Sequence, residues 1–119
     1  MDAPAKRITI EANPNRVRVT LGGVVVADSR GALTLREGNY PAVQYIPRAD
    51  ADMALLSRTA HASHCPWKGD ACYFSITAGG RTAENAVWSY ETPFEDVAEI
   101  AGMLAFYPNR LDAIEELPV

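Results

Sequence analysis

Two glycine pairs, Gly22-Gly23 and Gly79-Gly80, each lie between runs in which apolar and polar residues alternate, which confines the chain to tight antiparallel hairpins. Before the first pair, Val17, Val19 and Leu21 fall on one face and Arg16, Arg18 and Thr20 on the other; Val24 to Asp28 returns β-branched. Before the second, residues 71–77 alternate, and residues 81–90 come back as a strand ending in Val87-Trp88-Ser89-Tyr90. Further period-2 segments lie at 6–11, 32–37 and 42–47, and the last should stop at Pro47, which has no N–H to donate. This pattern predicts a β-meander over 6–47 and a second hairpin near 71–90.

The period changes near the C-terminal end. Thr92-Pro93-Phe94-Glu95 combines a capping hydroxyl, a proline at the first helical position and a carboxylate three residues after the cap. Val97, Ile100, Ala101 and Leu104 follow at helical spacing, so a short helix is expected near 93–101. Met53, Leu55 and Leu56 allow a helical turn in 50–57, with a loop as the alternative, and the Pro and Gly of 59–70 predict a loop. The 119 residues, 48% of them hydrophobic, suffice for one core without disulfide or metal staples. The expected architecture is a single mainly β domain over 1–119, an antiparallel open barrel or folded sheet pair with one or two short helices.

The charge balance narrows the partners. A formal net charge of −4 argues against a binder of phosphate backbones, so no nucleic-acid partner is expected. Arg16, Arg18, Arg36, Arg48 and Arg58 crowd the first half and could form a local positive face, the plainer reading being a solvated surface. No run approaches the ~20 apolar residues that cross a bilayer, and Met-Asp-Ala-Pro-Ala-Lys-Arg opens no apolar leader, so a cytoplasmic protein with no membrane partner is expected. Cys65 and Cys72 should then be thiols, and their spacing lacks the close pairs of a structural zinc site.

Candidate chemistry concentrates in a few segments. His64-Cys65-Pro66-Trp67-Lys68-Gly69 gathers an imidazole, a thiol and an ammonium; a thiol beside Lys and His can become a nucleophile, whereas buried it is a small hydrophobe. Arg36-Glu37, with Tyr40 and Tyr45 after it, offers a bidentate cation and hydrogen-bonding aromatics, or else a surface ion pair and core tyrosines. Trp88 and Tyr90 share a strand face and could line a pocket with Tyr45. Asp50-Ala51-Asp52 has the spacing of a Mg²⁺-binding pair, although capping of the next turn explains it more simply. His61, His64 and Cys65 lack a fourth ligand and neither glycine pair has the P-loop frame, so no metal or cofactor is expected.

Taken in order, Arg36-Glu37 with Tyr40-Pro41, Tyr45-Ile46-Pro47, His64-Cys65-Pro66-Trp67-Lys68-Gly69 with Tyr73, Trp88-Ser89-Tyr90, and Gly102 with Ala105-Phe106-Tyr107 carry a resemblance. Across residues 15–110 the chain resembles the domain of unknown function 427 family of small bacterial proteins, sometimes labelled nucleotidyltransferase-like. That family usually has Tyr at the position of Trp67. The resemblance implies a compact β domain similar to the β-tent group of Mss4-like proteins and methionine sulfoxide reductase B. Zinc in that group is held by paired cysteines, which this chain lacks, so neither zinc nor those activities carry over. Arg36, Glu37, Tyr45, Cys65, Lys68 and Trp88 belong to the family's recurring pattern, which favours one shared pocket. The expectation is a small polar or anionic ligand held by Arg36, Glu37, Tyr45, Lys68, Trp88 and Tyr90. The alternative is an enzyme, either nucleotidyltransferase-like or with Cys65 as nucleophile, His64 or His61 as base and Lys68 lowering the thiol pKa.

Overall fold

A computed structural model describes residues 8–119, in which ten strands form three antiparallel sheets. The strands are β1 (Ile8–Ala12), β2 (Arg16–Leu21), β3 (Val24–Ser29), β4 (Leu33–Glu37), β5 (Val43–Tyr45), β6 (Leu56–Cys65), β7 (Gly69–Ala78), β8 (Arg81–Ser89), β9 (Ala105–Phe106) and β10 (Ala113–Leu117). The central sheet has the order β6-β7-β8-β9, and two three-stranded sheets, β1-β4-β5 and β10-β2-β3, cover parts of its two faces. Alternation along β7 and β8 sorts side chains between two cores. Phe74, Ile76 and Val87 pack with Val17, Val19 and Leu21 of the β2 sheet. Tyr73, Trp88 and Tyr90 pack with Leu35 and Tyr45 of the β4 sheet.

The mainly β reading holds, and both glycine hairpins form with their glycines at positive φ. The strand partners differ from a simple meander. β1 pairs with β4 rather than β2, and β2 pairs with β3 and with β10, a strand the sequence pattern left undetected. The switch occurs at Asn13, whose side-chain carbonyl accepts the Asn15 N–H at 2.8 Å while its own N–H reaches Ala32 O at 2.9 Å, turning the chain from one sheet into the next. Positions 6 and 7 of the expected first strand lie outside the described residues.

Two further expectations need correction. Residues 59–70 are not a loop: β6 runs to Cys65, and only residues 66–68 form the tip of the β6–β7 hairpin. β6 bonds to a neighbour on one side alone and exposes most of its side chains, so backbone pairing makes it a strand without an apolar alternation. The helix at 93–101 is a 3-10 segment, Glu95–Ile100, kinked at Val97, and no side chain caps it. The Phe94 N–H is bonded instead to Lys68 O at 2.9 Å, which moves the start past Thr92 and Pro93. Val97 and Ile100 are buried nonetheless. A 3-10 turn does form at Met53–Leu55, and Asp52 caps it through Ala54 N–H at 3.2 Å.

The two glycine turns meet. Gly22 (φ +59°) and Gly79 (φ +57°) touch backbone to backbone, and a Cβ on Gly79 would overlap the Gly22 carbonyl oxygen. Gly80 (φ +76°) has the same kind of backbone with open space around it. Gly80→Ala should therefore cost only the left-handed strain, about 1 kcal/mol, whereas Gly79→Ala adds a clash with immovable backbone and should cost at least about 3 kcal/mol. Urea midpoints measured at constant slope will separate the two.

Candidate functional site

A cavity of about 850 Å³ lies beside β5, between that strand and the β6–β7 tip. A smaller recess of about 200 Å³ adjoins it and shares Glu37, Tyr40, Pro41, Val43, Lys68 and Trp88. The larger volume lies in the ordinary range for small-molecule sites, roughly 300–1,000 Å³.

Its wall is built by strand alternation and one tight hairpin tip. Glu37 ends β4 on the face of Leu35, and Gly69, at φ +113°, closes the tip so that Lys68 turns inward. Lys68 Nζ donates to Glu37 Oε1 at 2.6 Å, with only 10% and 13% of the two side chains exposed. Aromatic rings surround this pair. Trp88 Nε1 donates to Tyr45 Oη at 3.3 Å, and the two rings meet edge to face at 6.4 Å. Tyr107 packs on Trp88 with ring centroids 4.5 Å apart. Tyr40 stands on the rim, 72% exposed, on a turn closed by its N–H to Glu37 O at 3.0 Å.

Burial sets the protonation of the phenols. It pushes Tyr45 and Tyr90 well above the usual tyrosine value, and burial with the neighbouring Tyr73 hydroxyl pushes Tyr107 up to about 12. All three remain neutral hydroxyls at physiological pH, able to donate and accept hydrogen bonds.

Glu37, Tyr45, Lys68 and Trp88 thus come together, and Tyr90 lines the smaller recess. Arg36 does not join them. It neighbours Glu37 on β4, so its side chain projects from the opposite face, exposed and outside the lining of either cavity. The other arginines of the expected positive face are matched with carboxylates: Arg16 with Asp28, Arg18 with Glu115, and Arg48 and Arg58 with Glu91. Hydrogen bonds from Arg58 and then Arg48 hold the Glu91 carboxyl below its usual range.

Cys65 lines the large cavity as a free thiol. His64, the residue before it on the strand, points to the other face and its Nδ1 lies 2.7 Å from Asp70 Oδ1. His61 packs on the Tyr73 ring at 4.4 Å and stands four residues, about 13 Å, along β6 from Cys65. Asp50 accepts the Ser29 hydroxyl at 2.6 Å and Asp52 serves as the cap described above. Two contributors went unread in the sequence, Gln44 of β5 and Glu116 of β10. Their strands do not pair with each other, and period-2 alternation carries no sign of such proximity.

Over residues 9–117 the chain matches a family described as Domain of unknown function (DUF427). No curated protein matches it.

The Lys68–Glu37 pair makes a direct stability prediction. Lys68→Met strands a carboxylate with little access to water and should cost about 3 kcal/mol, whereas Lys68→Met combined with Glu37→Leu should cost about 1 kcal/mol or less. Urea unfolding of the two single variants and the double variant gives the coupling; additive losses would show that the two charges do not depend on each other.

Proposed function

We propose that this chain, which belongs to the DUF427 family, binds a small polar ligand, uncharged or zwitterionic, in the cleft beside β5. The observation that carries this reading is the largely buried Lys68–Glu37 pair on the wall of an aromatic cavity. Desolvation offsets most of the attraction within such a pair, so the pair is a weak source of stability. It is a good source of recognition. The bond to Glu37 uses one of three ammonium hydrogens, and the carboxylate has a second oxygen, so donor and acceptor are presented side by side.

The charge pattern favours a neutral or zwitterionic ligand over a bare anion. Glu37 offsets the charge of Lys68, and Arg36 lies on the far face of its strand. The rings of Tyr40 and Trp88 offer flat apolar surface for the body of the ligand. A Cys65 nucleophile finds support only in the placement of its thiol in the cavity, because His64 is engaged by Asp70 and His61 by Tyr73.

A thermal-shift screen with amino acids, nucleosides, sugars and simple carboxylates tests the proposal. Neutral or zwitterionic compounds should raise the melting temperature more than carboxylates or phosphates do. Tyr40→Ala, on an exposed rim where folding is insensitive, should weaken the best compound about threefold to tenfold. A screen with no hits, or hits indifferent to both Tyr40→Ala and Lys68→Gln, would overturn the reading.

A further inference from the structure

All five tyrosines of the chain, Tyr40, Tyr45, Tyr73, Tyr90 and Tyr107, line the smaller recess. Tyr40 stands on its rim, and the hydroxyls of the other four differ in what they bond. Tyr73 Oη lies 2.8 Å from Ser63 Oγ, and the Tyr107 hydroxyl is bonded to that of Tyr73. Tyr45 Oη accepts the Trp88 Nε1–H, and its own proton has no acceptor among the described residues.

Tyr90 is the exception. It is only 6% exposed, yet no group among the described residues bonds its hydroxyl. No fully buried side-chain oxygen or nitrogen of those residues lacks a partner, so the Tyr90 oxygen is not sealed in the core and opens to the recess that the ring lines. Burial first, and then the nearness of Tyr45, Cys65, Tyr73 and Glu37, keeps the phenol protonated, so it has a proton to give. Interiors rarely keep such a hydroxyl unbonded, because its lost hydration is not repaid until something occupies the place beside it.

The unused polar groups around the recess are mostly donors. Lys68 spends one ammonium hydrogen on Glu37 Oε1 and keeps two, and the phenol protons of Tyr45 and Tyr90 are unspent. The charged acceptor that faces them is the second oxygen of Glu37. A sugar or other polyol brings donors and acceptors in similar number and leaves part of this set idle, whereas a carboxylate brings acceptors alone. A carboxylate by itself would meet Glu37 unopposed. An ammonium on the same molecule answers it.

We propose that the recess takes a free α-amino acid, with its carboxylate on Lys68 and the Tyr90 hydroxyl and its ammonium on Glu37. The proposal rests on the ligand-binding reading above and names the class of ligand. In an α-amino acid both charged groups hang from one carbon, so they lie about as close together as the Lys68 Nζ and Glu37 Oε1 atoms that they face, 2.6 Å apart. A volume of about 200 Å³ admits one amino acid of middle size, and Leu35, Pro41 and Val43 in the lining give an aliphatic side chain its apolar wall.

The experiment is calorimetric titration of the full chain with L-valine, L-leucine and L-methionine. Leucine is set beside isocaproate, which lacks the amine, isoamylamine, which lacks the carboxylate, and ε-aminocaproate, which holds the two charges far apart. At least one of the three amino acids should bind, and each analogue should bind at least about tenfold more weakly than leucine. Tyr90→Phe deletes the unbonded hydroxyl and nothing else. It should melt at or above the parent temperature and weaken the amino acid about tenfold. The proposal fails if none of the three amino acids binds, if isocaproate matches leucine, or if Tyr90→Phe binds like the parent. A clear fall in the melting temperature of Tyr90→Phe would show the hydroxyl spent within the protein and would overturn it too. Lys68-dependent binding of nucleosides or sugars without amino acids would remove this inference and leave the ligand-binding reading in place. Binding of no compound at all would remove both.

Discussion

The reciprocal pair of hydrogen bonds between Ile46 and Leu104 joins the β4 sheet to the central sheet, and the geometry of the cleft follows from it. Both residues are essentially inaccessible to water, at 1% and 0% exposure, so breaking either bond would strand a buried backbone group, at a cost of about 1–3 kcal/mol. The bridge is one residue wide. It is nevertheless enough to hold Tyr45 against Trp88 on one side, because Tyr45 is the residue before Ile46 and Ala105, the residue after Leu104, pairs with Trp88. On the other side no further backbone bond joins β5 to β9 among the described residues, and Gln44 and Phe106 both line the cavity.

Around this join, the structure spends its few strong polar contacts on bracing the segment that follows β5. Arg48 donates from Nε to Gly102 O at 2.6 Å and from Nη2 to Ser89 Oγ at 3.2 Å and Glu91 at 2.9 Å, while its guanidinium lies over the Phe74 ring. Gly102 in turn donates its N–H to Tyr90 O at 2.9 Å. Arg48 thus ties the end of β8 to the segment before Leu104, so the two halves of the bridge cannot drift independently. Glu91 also takes two bonds from Arg58 of β6. Because Glu91 is held in its charged form below the usual carboxylate range, this bracing is present at neutral pH and is lost only as acid protonates it.

How much of this could be read beforehand depends on what alternation encodes. It reports which face a residue occupies, so Val17, Val19 and Leu21 declared a core-facing strand, and Trp88 and Tyr90 declared a shared face. It does not report neighbours, which is why β1 and β10 found partners that no local pattern announces. It also fails for a strand whose two faces both meet water, and β6 is such a strand. At 92–104 the helical spacing identified buried Val97, Ile100 and Leu104, but Ala101 of the same spacing is exposed, and the type and start of the turn were decided by a tertiary bond from Phe94 to Lys68. The same period-2 rule that makes β4 a strand separates Arg36 from Glu37. Adjacent residues on a strand cannot both serve one pocket, and here the rule selects the carboxylate.

That selection decides the electrostatic character of the cleft. Had β4 presented Arg36 inward, Lys68 would face a second cation and the site would attract anions. With Glu37 inward, Lys68 meets its counter-ion at 2.6 Å and the local charges offset each other. An offset pair still has direction, since the ammonium end repels donors and the carboxylate end repels acceptors. In a cavity walled by Trp88, Tyr45 and Tyr107, with little water to screen it, that direction acts more strongly than on an open surface. A ligand that satisfies the pair must itself present an acceptor to the ammonium and a donor to the carboxylate, side by side.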